Sequence, residues 1–434
     1  MIYHLIQWLN DYDIPGQGLM NYLSFRAMLA SVTAMLISFF AGRIIIRWLK
    51  HKQLGETIRN LGLEGQMQKE GTPTMGGIII LLAITVSALL FCNLTNIYAQ
   101  LLIFTTLWCG GIGFADDYIK VFKHNKEGMS ARGKLALQLA LGLIVALTVC
   151  FNNDIVIREK VKIAPEQQNY VTDLAGDIDI DSERIVKDNG WQMENVVKST
   201  TTTIPFVKDH EFDYKWLSPF KGKWGWYCKW AIYALMIVIV ITACSNGTNL
   251  TDGLDGLAAG TSAIVGIVIG ILAWLSGNLI NSDYLNIMYI PGTGEVAVFM
   301  SAFVGALLGF LWYNSYPAQV FMGDTGSLAI GGIIGVSAVL IRKELLLPVL
   351  CGIFLVESLS VLLQRYYFKY TKKKYGTGRR IFRMAPLHHH YQRTDIPALV
   401  KWPSHPIPEA KIVTRFWLVG LILAVATLAL LKIR

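Results

Sequence analysis

The sequence predicts an all-α polytopic membrane protein of about ten transmembrane helices with an enlarged extracytoplasmic loop. Three observations carry that prediction. Hydrophobic residues make up 53% of the 434-residue chain and charged residues only 16%. The mean hydropathy of +0.44 is too apolar for a soluble chain of this length. Long apolar runs recur from end to end, separated by polar clusters, with no internal repeat or low-complexity tract.

Crossing the hydrocarbon core takes about 20 mainly apolar residues. Candidate spans cover 22–48, 75–93, 98–116, 134–151, 226–246, 256–275, 294–313, 327–341, 345–367 and 416–431. The eighth is short and glycine-rich, and small residues allow helices to approach closely in lipid. The opening MIYHLIQWLNDYDIPGQG lacks a basic start and is polar before the first long run, so no cleavable signal is expected. The six cysteines lie in or beside apolar stretches without a CxxC pair, and read as small apolar residues.

Loop charge sets the orientation. The 367–415 loop holds eleven Lys/Arg against Asp395 and Glu409, and the 118–134 loop holds five against Glu127. By the positive-inside rule these loops are cytoplasmic and both termini face outward. The stretch 152–223 holds thirteen acids against ten bases and is placed outside as a small excursion, with short strands around DLAGDIDIDSERI and KSTTTTIPF. The net charge of +9 follows this loop pattern, and no nucleic-acid partner is expected. The basic KYTKKKYGTGRR (369–380) suits anionic lipids or nucleotides, yet the topology rule alone accounts for it.

With this topology five polar clusters fall on one face of the membrane. KEGTPTMGG (69–77) leads into the second span and ADDYIK (115–120) ends the third. SNGTNLTDGLDG (245–256) joins the fifth and sixth, YNSYPAQVFMGDTGS (313–327) joins the seventh and eighth, and FRMAPLHHHYQ (382–392) follows the ninth. Random polar punctuation would divide between the two sides.

Each cluster has a chemistry. A charge at bilayer depth is costly and usually marks function, and a helix C-terminus disfavours acids. Asp116 and Asp117 therefore need a reason to end a span. As helical neighbours they point about 100° apart and serve different partners. Asn249, Asp252 and Asp255 recur at intervals of three, with Gly253 and Gly256 beside them, which gathers one polar side on a helix or capped turn. Asp324, within Gly-Asp-Thr-Gly-Ser, stands where a helix start would offer free N–H groups to an anion, or simply as a cap. Acids near phosphate need a cation between them. Mg²⁺ is the usual one, which points to metal-assisted phosphoryl transfer. Three consecutive histidines, His388, His389 and His390, diverge too much to share one zinc, so a polar lid on a phosphate substrate fits them better. A cation-coupled transporter also carries membrane acids, but its sites lie near the midplane rather than at span ends.

In GTPTMGG, ADDYIK, NLTDGLDGLA, YPAQVFMGDTGSLA, FRMAPLHHHYQ and KIVTRFW, in that order, the chain resembles the phospho-N-acetylmuramoyl-pentapeptide transferases. These belong to the polyprenyl-phosphate N-acetylhexosamine-1-phosphate transferases, glycosyltransferase family 4. The resemblance implies one membrane domain over 1–434, a cytoplasmic active site on the bacterial inner membrane, Mg²⁺ and a homodimer. It also implies transfer of phospho-MurNAc-pentapeptide from its UDP carrier to undecaprenyl phosphate, giving lipid I and UMP. A sister transferase using UDP-N-acetylglucosamine is the alternative.

By the same resemblance Asp324 is the magnesium ligand, Asp116 and Asp117 the essential pair, and His388 the first of the functional histidines, with His389 and His390 beside substrate. Lys69, Thr74, Asn249, Asp252, Gly253, Leu254, Asp255, Asn314 and Phe321 match nucleotide-sugar positions, Phe321 stacking on uracil. Lys120 and Lys134 match lysines near the phosphates. Two stretches depart from the family pattern: the 152–225 insertion, and a long link at 394–413 within the basic and histidine loop 368–415. Single displacement and an aspartyl-phosphate intermediate both remain open.

Overall fold

The computed structural model describes residues 1–8, 17–52, 69, 71–123, 128–162, 191–205, 211–285 and 287–431. A short helix α1 (Ile2–Trp8) precedes α2 (Leu23–His51), α3 (Gly77–Phe91), α4 (Ile97–Phe122) and α5 (Ala131–Phe151). After the strands of the insertion come α6 (Gly222–Thr251), α7 (Leu257–Ser276), short α8 (Leu279–Tyr284), α9 (Gly294–Asn314) and α10 (Gly323–Leu340). The chain closes with α11 (Leu347–Leu350), α12 (Gly352–Tyr375), short α13 (Leu387–Gln392) and α14 (Glu409–Leu430).

All ten apolar runs become helices, though fewer than ten are long and apolar enough to cross alone. Among the described residues eight helices meet that test, and α11 with α12 makes a ninth across a 77° bend. The remaining helix, α3, has only 15 residues. Its start is delayed because the chain before it is used in extended pairing. Phe321 N–H donates to Pro73 O at 2.9 Å, and Gly76 N–H donates to Phe321 O at 2.8 Å. The bend in the ninth run falls at Cys351, between Pro348 and Gly352, the residue types at which helices break.

The glycine-rich eighth run is the centre of the molecule. Every residue of α10 from Thr325 to Leu340 is buried. Its Gly326, Ser327, Ala329, Gly331, Gly332 and Gly335 let α4 and α6 close in on it, with α3 and α7 at its flanks. α2 and α14 sit outside, exposing Val32, Phe40, Ile44, Leu418, Ile422 and Val425 as a lipid-facing helix should.

The two ends of the bundle differ. At the end carrying the α2 N-terminus, buried Arg26 and Glu295 form an ion pair of 2.7 Å. Glu295 also accepts the Asn93 N–H at 2.7 Å, joining α2, α3 and α9. The insertion packs at this same end. Strand β1 (Ile157–Lys162) pairs antiparallel with β2 (Trp191–Val197), and β3 (Thr201–Thr203) with β4 (Glu211–Asp213). β3 docks just beyond α10: Thr203 N–H and Thr202 Oγ1 donate to Arg342 O at 3.0 and 3.1 Å. Lys343 Nζ meets Thr203 Oγ1 at 2.5 Å, and Tyr214 OH meets Glu344 Oε1 at 3.2 Å. Burial pulls the Lys343 pKa down to about 8, partly offset by Glu344 and Glu211. The acidic tract DLAGDIDIDSERI lies outside the described residues.

Candidate active site

The last turns of α4 explain why a span ends in two acids. Asp117 Oδ2 accepts the Thr325 N–H at 2.9 Å and the Thr325 hydroxyl at 2.6 Å, while Oδ1 accepts the Asp324 N–H at 3.2 Å. The unpaired N–H groups of a helix start carry positive partial charge. Asp117 thus caps α10 from another helix, and the C-terminus of α4 is answered by the N-terminus of α10. Gly323 makes the approach possible: its φ is +73°, and a Cβ there would lie 2.7 Å from Asp117 Oδ2.

Asp116 turns the other way. Its Oδ1 accepts the Met129 N–H at 2.7 Å, and its Oδ2 pairs with Lys120 at 2.6 Å and Lys134 at 2.9 Å. The same two lysines reach Asp324 Oδ2, at 3.1 and 2.7 Å. Asn249 Nδ2, on the last turn of α6, donates to Asp324 Oδ1 at 2.9 Å and to Ser327 Oγ at 2.8 Å. Asp116, Asp117 and Asp324 each offer an oxygen within 4.8 Å of the others. Three carboxylates against two ammoniums leave one negative charge in a mostly buried pocket. Hard oxygen donors with a residual negative charge are what a divalent cation such as Mg²⁺ needs.

A second cluster lies on the turn joining α6 and α7. Lys69 Nζ sits between Asp255 Oδ1 and Glu409 Oε1, 2.6 Å from each. Asp255 N–H donates to Glu409 Oε1 at 2.8 Å, and Asp255 Oδ2 accepts the Ala318 N–H at 2.9 Å. The ammonium lies 5.9 Å from the Phe321 ring centroid and 6.0 Å from that of Tyr316. More of the expected residues lie in the segments around this cluster. Asn314 uses its amide to hold Val320 O at 2.9 Å and the Gly256 N–H at 3.1 Å. Leu254 packs with Leu257, Ile412 and Val413, and Thr74 is buried in the segment paired to Phe321. Asp252, beside Gly253, opens the turn at the end of α6.

The three histidines part company. His388 is fully buried, its Nε2 against Gly253, where a Cβ would come within 2.2 Å of that atom. His389 Nδ1 lies 2.8 Å from Gln392 Oε1; burial, reinforced by His388, pulls its pKa down to about 4, so the ring is neutral near pH 7. His390 Nδ1 accepts the Arg383 N–H at 3.1 Å, so Nε2 carries the hydrogen and donates to Trp402 O at 2.8 Å. Arg383 Nη1 donates to Arg393 O at 2.9 Å and Pro403 O at 2.7 Å, while Nη2 reaches Lys401 O. The expected lid of three rings is therefore a pinned loop, in which His390 is part of the fastening. The long link at 394–413 supplies the other half of it.

Two acids near the site were not among the expected site residues, Glu409 and Glu357. Glu409 lies on the first turn of α14, at the end of the long link. Glu357 accepts the His388 N–H at 3.2 Å. As the single acid in the 345–367 run, it carried a legible signal.

Residues 191–342 match the family described as Glycosyl transferase family 4, and residues 69–81 match the phospho-N-acetylmuramoyl-pentapeptide-transferase signature 1. The chain is 54% identical over 437 residues to the phospho-N-acetylmuramoyl-pentapeptide-transferase of Parabacteroides distasonis, covering 100% of both chains. It is 52% identical over 435 residues to that of Flavobacterium psychrophilum and 50% over 437 to that of Azobacteroides pseudotrichonymphae, again covering 100% of both chains in each case. A chain with this identity, this signature and these converging acids belongs to the phospho-N-acetylmuramoyl-pentapeptide-transferase family, within glycosyl transferase family 4.

Proposed function

We propose that this chain transfers phospho-N-acetylmuramoyl-pentapeptide from UDP-MurNAc-pentapeptide to undecaprenyl phosphate, giving lipid I and UMP in the first membrane step of peptidoglycan synthesis. The observation that carries the reading is the meeting of Asp116, Asp117, Asp324, Lys120 and Lys134 at one end of the bundle. An acceptor anchored by its lipid tail and a soluble nucleotide sugar can meet only at a membrane surface. That surface is the cytoplasmic face of the inner membrane, with 152–225 outside and 368–415 inside, and the working form is a homodimer.

In the favoured single displacement, an oxygen of the acceptor phosphate bonds to the β-phosphorus. The bond from that phosphorus to the bridging oxygen breaks, and UMP leaves with the oxygen. Asp116 takes the proton from acceptor in its monoanionic form, since a phosphate monoester has a second pKa of about 6. Lys120 and Lys134 hold phosphate oxygens, Phe321 receives uracil, and Lys69 and Asp255 border the same pocket. Asp117 keeps α10 in place. Mg²⁺ held by Asp324, with a second carboxylate of the cluster, would offset charge on the bridging oxygen. A cleft of ≈ 350 Å³ lined by Val356, Leu359, Leu363, Tyr391, Val400 and Trp402 offers apolar walls to the polyprenyl tail.

The test is turnover by purified protein with undecaprenyl phosphate and either UDP-MurNAc-pentapeptide or UDP-N-acetylglucosamine. UMP is expected from the first only, lost with a chelator and restored by Mg²⁺. Preference for UDP-N-acetylglucosamine would overturn the substrate assignment, and turnover in chelator would overturn the metal.

A further inference from the structure

Glu357 is the single acid of α12 and is 0% exposed. A buried carboxylate is costly unless a cation or proton meets it. Among the described residues it has no ion pair with lysine or arginine; its partner is His388. The His388 N–H donates to Oε1 at 3.2 Å, and His388 Nδ1 stands 3.2 Å from Oε2, in ion-pair range though off the line of a full hydrogen bond. The carboxylate thus holds the backbone of His388 and stands against one side of its imidazole.

On the other side, Nε2 is buried, has no hydrogen-bond partner among the described residues, and abuts Gly253. Gly253 follows the last turn of α6, where Asn249 holds Asp324. A carboxylate at Nδ1 favours the tautomer with its hydrogen there. The other titratable groups around the pair are His389, with its ring centroid 4.3 Å from that of His388, Tyr391 and Asp252 on the facing turn.

We propose that Glu357 is a positioning residue for the transfer reaction: it fixes the His388 imidazole by Nδ1 and so aims Nε2 at the 252–255 turn, where the nucleotide sugar binds. The proposal rests on the function argued above. Glu357 itself touches no substrate. A residue orienting a functional histidine from behind typically accounts for about 10–100-fold in activity.

The experiment uses full-length protein with ¹³C- and ¹⁵N-labelled histidine, the His388 signal being identified by its loss in His388→Asn. Ring shifts that report the tautomer are read by NMR on the parent chain, Glu357→Gln and Glu357→Asp, beside turnover and thermal melting. The parent is expected to hold the ring hydrogen on Nδ1, and Glu357→Gln to lose that preference. Its kcat should fall about tenfold or more, with KM for the nucleotide sugar held within about threefold. Glu357→Asp keeps the charge and should recover most of both losses. An unmoved His388 tautomer in folded Glu357→Gln would overturn the proposal. So would equal losses in the Gln and Asp variants that track a lowered melting temperature. If Glu357→Gln fails to fold, Glu357→Asp decides: the parent tautomer with kcat near the parent value supports the pair, and lost kcat overturns it. A parent chain that holds the Nδ1 tautomer yet releases no UMP strikes the proposed function while supporting the pair.

Discussion

Asp116 and Asp117 are neighbours with opposite employments. Asp117 accepts three bonds from the first turn of α10, whereas Asp116 faces two lysines and a loop N–H. Hydrogen bonds to a buried charge contribute about 1.5–3 kcal/mol each. Asp117→Asn keeps the shape but loses the charge, and should cost about 2 kcal/mol of stability, read as a lower melting temperature together with lost turnover. Asp324→Asn should abolish turnover while the protein still inserts and folds; substantial residual Mg²⁺-dependent activity would count against its metal role. The acids were legible in the sequence because charge at a span end demands a reason. Their division of labour was not, because it depends on the α10 N-terminus, some 200 residues along the chain. Glu409 was hidden in the same way: its contact with Lys69 spans 340 residues.

At the scale of elements, the length of the apolar runs located the ten long stretches that become helices, but neither the short α1, α8 and α13 nor how each helix begins or bends. α3 starts at Gly77 because the residues before it pair with Phe321, and no local signal announces that pairing. The glycines of α10 were visible, yet their meaning appears only when α4 and α6 are seen to close on them. The histidine loop is held by Arg383 through three carbonyls and by Leu399 and Val400 N–H groups on Arg380 O and Ile381 O. Arg383→Ala should therefore release 394–403 to limited proteolysis and lower turnover, with the spans themselves intact. A strap still resistant to protease in that variant would show that the backbone pairing suffices.

Across the whole molecule the chemistry is confined to one end and the mechanical fastening of the insertion to the other. The Arg26–Glu295 pair belongs to the second end. Removing one partner of a buried pair leaves an uncompensated charge, costing about 3–5 kcal/mol. Glu295→Ala should therefore lower the melting temperature markedly while turnover per folded molecule is kept. Arg26→Met with Glu295→Leu should recover much of the loss, and a catalytic defect in the folded double variant would contradict this separation of ends.

The enclosure of α10 has one more consequence. From Thr325 onward the helix that carries Asp324 in its first turn shows no side chain to hydrocarbon, whereas α2 and α14 meet it along their lengths. A bilayer that thickens, thins or changes its acyl chains gains purchase on the outer staves and none on the axle, so the reaction centre is insulated from the very solvent that delivers its acceptor.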